Sequence, residues 1–454
     1  MRLAEAADVL QAKHSGVDAG ADVGFRGVST DTRTLMTDNL FFALVGPRFD
    51  GHAYLDQAQA RGAAAAAVSR PVATQLPLLQ VADTRLALGQ LARHWRGRFT
   101  IPVVGVTGSN GKTTVKEMLA AILGRNGAVL ATKGNLNNDI GVPLTLAQLG
   151  TEHRSAVIEL GANHAGEIAY LTQLTQPTVG IVTNAGPAHL EGFGSLEGVA
   201  RAKGELFAGL AAQAIAVINA DDHFAPLWRE LAGARQVLSF GTQTDADVRA
   251  TYTVQAHGTE LNMHTPHGSV EVLLSLPGRH NVLNALAATA AALAAGTDLA
   301  TVKAGLENLG GVSGRLQRKT RADGGLVLDD TYNANPASMR AAIDVLRELP
   351  GESWLVLGDM GELGANAEQL HSEIGAYARD AGIAGLFTLG PLSAQAGRTF
   401  GAKAQVFGEL DALVAALRAQ LHPEISLLVK GSRSAGMERV VQALAAPVQE
   451  NAAC

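Results

Sequence analysis

Lys112 and Thr113 follow a glycine-rich loop in the run Val103-Val104-Gly105-Val106-Thr107-Gly108-Ser109-Asn110-Gly111-Lys112-Thr113-Thr114. These residue types at this spacing make a phosphate cradle. Backbone N–H groups face an anion, and the following helix N-terminus adds positive potential. Lys112 neutralises phosphate oxygens, and Thr113 can ligate Mg²⁺. A β-branched run enters the loop, and an apolar-periodic helix leaves it through Val115, Met118, Leu119, Ile122 and Leu123. The general pattern has a glycine five positions before Gly111, where this chain has Val106; its glycine is Gly108, nearer the lysine.

Further chemistry-bearing residues fall at the ends of expected strands, where open α/β sheets bind ligands. Glu159 ends Val157-Ile158-Glu159. It is either a solvated strand-end acid or a Mg²⁺ ligand beside a nucleotide, and the phosphate loop upstream favours the metal role. His189 lies in a Gly/Pro loop after the next strand. On residue type alone it is surface decoration or a presented functional group. Lys203 sits on a helix and reads by default as a solvated surface lysine. Asn281 opens an Ala-rich helix, as its N-cap or as a nucleotide contact. Arg315 is a surface charge or a bidentate phosphate ligand across a domain cleft. In Asp329-Asp330-Thr331-Tyr332-Asn333-Ala334-Asn335-Pro336, Asn335 and Pro336 fit the N-cap and N1 positions of a helix. The two aspartates contact ribose hydroxyls or repel each other. Two more polar strand-to-loop edges follow, at residues 357–364 and 429–433.

The elements that must hold these groups are those of an α/β protein. The chain has 454 residues, long for one core, with 47% hydrophobic and 17% charged content. Its 51 glycines are spread among strand ends and turns. Net charge is −6 without a basic run, so no nucleic-acid footprint is present. The single cysteine, Cys454, excludes an intrachain disulfide and a Cys/His metal cluster. The first residues read as an amphipathic helix start with no secretory apolar segment, and the Ala-rich stretches carry polar residues. A cytoplasmic protein without a membrane span is expected.

Three units are expected: residues 1–98, 99–313 and 314–454. The central one alternates strands at 156–160, 180–183, 215–219 and 237–240 with helical patterns, which argues for a parallel sheet. Residues 248–276 read as antiparallel strands at its edge. The third unit repeats the α/β alternation, with strands at 326–329, 354–357, 386–389 and 427–429, as a doubly wound, Rossmann-like layer. Gly310, Gly311 and Gly314 mark the hinge before it.

Taken in this order, the motifs resemble the Mur ligase family of peptidoglycan biosynthesis over essentially the whole chain. The family's nucleotide motif Thr-Gly-[Ser/Thr]-Asn-Gly-Lys-Thr is present at 107–113, which accounts for Val106. The runs 137–144, 189–195, 330–336, 357–360 and 429–433 are similar to those of the family branch that adds D-alanyl-D-alanine, and an Asp-Asn-Pro-Arg signature is absent. The resemblance implies ATP- and Mg²⁺-dependent amide-bond formation on UDP-N-acetylmuramoyl-tripeptide through an acyl phosphate. It also implies a first domain for the UDP end, a central ATP domain and a C-terminal domain that delivers D-alanyl-D-alanine; a monomer is expected. By matching position, Gly108, Ser109, Asn110, Gly111, Lys112, Thr113 and Thr114 bind the triphosphate. Thr113, Glu159, His189 and Lys203 hold metal, with Lys203 at the position that several members carbamylate; whether this chain does so stays open. Asn281, Arg315 and Asp330 contact the nucleotide. Ser29, Thr30, Arg48, Asp50, His52, Asn137, Asn138, Asn333, Asn335 and Ser432 contact the other substrates. Met36-Thr37-Asp38-Asn39 replaces the family's Pro-Gly-Asp, so a changed turn is expected there.

Overall fold

The computed structural model describes residues 1–15, 23–187, 190–243, 245–255 and 258–446. His189 and Cys454 lie outside the described residues. Each of three α/β units is built on its own sheet.

The central sheet has nine strands, and the phosphate-loop strand Val103–Thr107 lies inside it. Every residue of that strand is buried, as a β-branched run covered on both faces must be. It pairs in parallel with His153–Glu159 on one side and Val179–Val182 on the other. Ile215–Asn219 and Gln236–Gly241 extend the parallel part. Val248–Gln255, Gly258–Thr265 and Gly268–Leu274 then finish that side as an antiparallel meander, and Ala128–Ala131 forms the opposite edge. Helix Lys112–Leu123 buries Val115, Met118, Leu119 and Ile122 against helix Arg279–Ala294, whose alanines are covered nearly all round. A helix so uniformly small and apolar is stable only as a buried layer.

The first unit carries a five-stranded sheet in the order Lys13–Ser15, Leu78–Gln80, Ala65–Val68, Leu40–Phe42, Val28–Ser29. Helices Leu3–Leu10 and Thr84–Arg96 pack on it. The third unit has six strands in the order Gln317–Thr320, Leu326–Asp330, Ile425–Lys430, Glu352–Gly358, Gly385–Leu389, Ala404–Phe407. All but the first pair in parallel, which gives the doubly wound layer. At the departure in the first unit, Asp38 adopts φ +66° and Asn39 turns its side chain inward, accepting from Met36 N at 3.0 Å and donating to Arg26 O at 2.6 Å. Among the described residues no helix is long and apolar enough to cross a membrane.

Candidate active site in the cleft between the units

The loop after Val103–Thr107 is held by its neighbours as well as by its own lysine. Asn110 N donates to Asn184 Oδ1 at 2.9 Å, and Thr183 Oγ1 donates to Asn110 O at 2.6 Å. Ser109 Oγ donates to Gly186 O at 3.0 Å. Gly111 caps the following helix at φ +82°, and a Cβ there would stand 2.4 Å from Asn284 Oδ1. Only glycine fits both the dihedral and the approach. Lys112 Nζ folds back onto the carbonyls of Gly108 at 2.7 Å and Ser109 at 3.2 Å. Burial holds its pKa below the usual lysine range; Glu159 opposes that shift and Arg315 adds to it. A lysine cation whose hydrogen-bond partners among the described residues are two carbonyls is well placed to transfer to a phosphate.

Beside it, Thr113 Oγ1 donates to Glu159 Oε2 at 3.0 Å, and Asn137 Nδ2 donates to Glu159 Oε1 at 2.9 Å. Glu159 N is fixed by Thr132 Oγ1 at 2.9 Å, and buried Lys116 holds Thr132 O at 2.8 Å. A hydroxyl and a carboxylate side by side are hard oxygen donors, the set for Mg²⁺ that keeps its own waters and phosphate ligands. Among the described residues no group of three or more His, Cys, Asp or Glu side chains could hold a metal by itself.

The third unit closes over this loop. Arg315 stacks on the Tyr332 ring at 4.3 Å and donates to Thr113 Oγ1 at 3.4 Å. Its Nε is buried without a hydrogen-bond partner among the described residues, which suits an anion. Asn335 Nδ2 donates to Asn110 Oδ1 at 2.7 Å, while its Oδ1 caps helix Pro336–Arg347 through Ser338 N at 2.9 Å. Two cavities meet here. One, of about 890 Å³, is lined by Lys112, Thr113, Glu159, Asn137, Asn138, Asn333, Arg315 and Arg433, with Arg85 and Leu86 from the first unit. The other, of about 250 Å³, runs from Thr114 and Asn184 past His280 and Asn281 to Asp330 and Lys430. A third cavity, of about 290 Å³ and walled by Phe25, Leu88, Leu91, Trp95 and Leu149, holds none of the residues singled out in the sequence.

Models of the Mur ligase middle domain, the Mur ligase glutamate ligase domain and the Mur ligase family catalytic domain match residues 106–292, 314–433 and 24–96. The chain is 50% identical over 456 residues to the UDP-N-acetylmuramoyl-tripeptide–D-alanyl-D-alanine ligase of Escherichia coli strain K12, covering 100% of this chain and 99% of the relative. The chain belongs to the Mur ligase family. Two solved structures of Mur ligases resemble it throughout. One is the UDP-N-acetylmuramoylalanyl-D-glutamyl-2,6-diaminopimelate–D-alanyl-D-alanyl ligase of Acinetobacter baumannii, with 39% identity, TM-score 0.88 and 97% of each chain covered. The other is the MurF ligase of Thermotoga maritima in complex with ADP, with 29% identity, TM-score 0.82, 92% of this chain and 96% of that chain covered.

Several residues of this Mur ligase sit differently from their sequence reading. Lys203 is no surface lysine. It is 2% exposed, with Nζ donating to Ala162 O at 3.2 Å and lying 5.0 Å from the Phe193 ring centroid. Burial, helped by the Lys112 charge, pulls its pKa down to about 7. Asn281 is not an N-cap: Gly278 holds that position, and Asn281 Nδ2 donates back to Pro277 O at 2.8 Å. Asp329 and Asp330 do not face each other. Lys319 takes Asp329 at 2.6 Å and Lys430 takes Asp330 at 2.5 Å. Ser432 is buried, donating to Asp359 O at 2.6 Å, and does not line the large cavity.

The first unit's Ser29, Thr30, Arg48, Asp50 and His52 lie apart from that cavity. Ser29 Oγ closes a turn on Asp31 O at 3.0 Å, and Thr30 is half-buried beside it. Arg48 is exposed. Asp50 bonds His52 Nδ1 and Arg70 Nη2, each at 2.6 Å, and these partners, Arg70 first, hold its pKa far below the usual carboxylate range. Tyr332, Lys430, Asn184 and Asn284 were not singled out in the sequence. Each stands within a strand-end or helix-start run that was, which is the signal that could have found them.

Proposed function

We propose that this Mur ligase uses ATP to join D-alanyl-D-alanine to UDP-N-acetylmuramoyl-tripeptide, as a cytoplasmic monomer divided near residues 98 and 313. The observation that carries the reading is the convergence of Lys112, Thr113, Glu159 and Arg315 on one cavity, in a chain half identical to a ligase named for that reaction. Gly108 to Thr114 cradle the triphosphate, and Asn281, Arg315 and Asp330 take the nucleoside side of the smaller cavity. Thr113 and Glu159 would hold Mg²⁺, joined by His189 and, only once carbamylated so that it offers an oxygen, by Lys203. When bound, Mg²⁺ supplies charge neutralisation between phosphate and carboxylate.

Amide formation from a free carboxylate is uphill in water, so the carboxylate is activated first. Its oxygen attacks the γ-phosphorus, the β–γ bond breaks, and ADP leaves with that electron pair. Lys112 and Arg315 stabilise the negative charge that gathers there. The amine of D-alanyl-D-alanine then attacks the acyl carbon, a proton leaves the nitrogen, and phosphate departs. Asn335, through Asn110, and Arg315, stacked on Tyr332 and reaching Thr113, bridge the third unit to the loop and exclude water while the acyl phosphate exists. Asn137, Asn138 and Asn333 line the wall where the peptide lies, and Ser432, held on Asp359 O, precedes Arg433 of the same wall. Ser29, Thr30, Arg48, Asp50 and His52 serve the UDP end.

The deciding experiment is phosphate release by purified protein with ATP, Mg²⁺ and the UDP-tripeptide, with and without D-alanyl-D-alanine. Release that requires the dipeptide, with a pentapeptide mass, supports the proposal. Tight ATP binding without release would overturn it.

A further inference from the structure

The large cavity has one charged pair that the mechanism above does not use. Arg85, on helix Thr84–Arg96 of the first unit, donates through Nη2 to Asp139 Oδ1 at 2.7 Å, and its Nε meets Asp139 Oδ2. Both line the cavity that holds Lys112 and Glu159, with Tyr170 beside them. The pair is only half withdrawn from water, at 53% and 30% side-chain exposure, so it can open toward a ligand.

Its distance from Asn137, the partner of Glu159, is bounded by the chain. Asn137 holds Glu159 Oε1 at 2.9 Å, and Asp139 is two residues further on, at most about 7 Å along the backbone. The carboxylate to be activated belongs to the third residue of the tripeptide, so that residue's own side chain starts at the same point. An arm of four carbon–carbon bonds reaches roughly 5 Å. With that carboxylate beside Lys112 and Glu159, as the proposed mechanism requires, the arm's far end comes within reach of Arg85 and Asp139, which line the same cavity.

We propose that Arg85 and Asp139 form the subsite for the side chain of the third residue and select a zwitterionic 2,6-diamino diacid over lysine. This rests on the ligase reading above. A zwitterionic end brings an ammonium to Asp139 and a carboxylate to Arg85, so four charges alternate in sign and none is left unpaired. A lysine ammonium satisfies Asp139 but takes it from Arg85, leaving two cations together. The Acinetobacter baumannii relative, named for a diaminopimelate substrate, agrees in substrate class.

The test compares kcat/KM of the full chain on two UDP-tripeptides, one with diaminopimelate and one with lysine at the third position, under saturating ATP and D-alanyl-D-alanine. Wild type is expected to prefer the diamino diacid by about tenfold or more. Arg85→Met should collapse that ratio by raising KM for the diamino diacid, and Arg85→Lys should restore part of it. Asp139→Asn should raise KM for both, since both carry the ammonium. A ratio unchanged in Arg85→Met and Arg85→Lys, with equal losses on both tripeptides, would show a mere strut between the first and central units and overturn the proposal. Absence of turnover by wild type on either tripeptide would overturn the ligase reading and this subsite with it, before any variant is made.

Discussion

Lys112 is held by carbonyls of its own loop, so removing its ammonium disturbs little besides the phosphate site. Lys112→Ala should lower turnover by roughly 1,000-fold, the scale of losing one preorganised charge at a transition state. UDP-substrate binding, measured calorimetrically, should stay largely intact; its loss would move the site elsewhere. His280 sets a second expectation. Burial lowers its pKa from 6.5 to about 4, with Lys430 adding to the shift and Asp330 opposing it. Between those values the unfolded chain takes up a proton that the fold refuses, so stability falls as pH drops from 6.5 toward 4. The loss is at most about 3 kcal/mol, since the residue as a whole is half-buried. His280→Gln should flatten the pH dependence of Tm in that window, and an unchanged slope would assign the loss to other groups. At this scale the sequence revealed Lys112 and Glu159 because loop, strand and helix follow one another locally. It hid Lys203, whose burial comes from Ala162 and Phe193, and the Lys430–Asp330 pair, which spans a hundred residues.

Helix Pro336–Arg347 shows how one residue serves two levels. Asn335 caps the helix with its oxygen and reaches the nucleotide loop with its nitrogen. Asn335→Ala should cost about 1 kcal/mol of stability through the cap. Asn335→Ser keeps a capping oxygen, adds no charge and removes the amide donor to Asn110. It should melt like wild type yet raise the KM for ATP about 3- to 10-fold, the worth of one hydrogen bond. A KM for ATP equal to that of wild type would mean that the Asn110 contact plays no part in nucleotide binding. The capped start of this helix was readable from Asn335-Pro336, and the meander at 248–276 was readable from its Gly turns. In the second and third units three strands, Ala128–Ala131, Gln317–Thr320 and Ala404–Phe407, were not. All lie at sheet edges, where one side faces water and the apolar pattern fades.

The whole molecule places its chemistry where three sheets turn toward one cleft, so the connection into the third unit controls the site. Gly314 stands at φ +66°, and a Cβ there would lie 3.1 Å from Tyr332 N and 3.2 Å from Tyr332 Cβ. The next residue is Arg315, which stacks on that same tyrosine and touches Thr113. Gly314→Ala therefore adds left-handed strain of roughly 1–2 kcal/mol and presses on the ring that orients the arginine. Gly310, four residues earlier in the same connection, has ordinary dihedrals and nothing within 4 Å of its Cβ position. Gly310→Ala should leave both Tm and ATP-dependent turnover near wild type. Gly314→Ala should lower kcat/KM for ATP about tenfold, more than its drop in Tm predicts, because the displaced group is the proposed phosphate ligand. If both variants behave alike, the connection is a passive tether, and the alignment of Arg315 over the loop comes from the packing of the third unit alone.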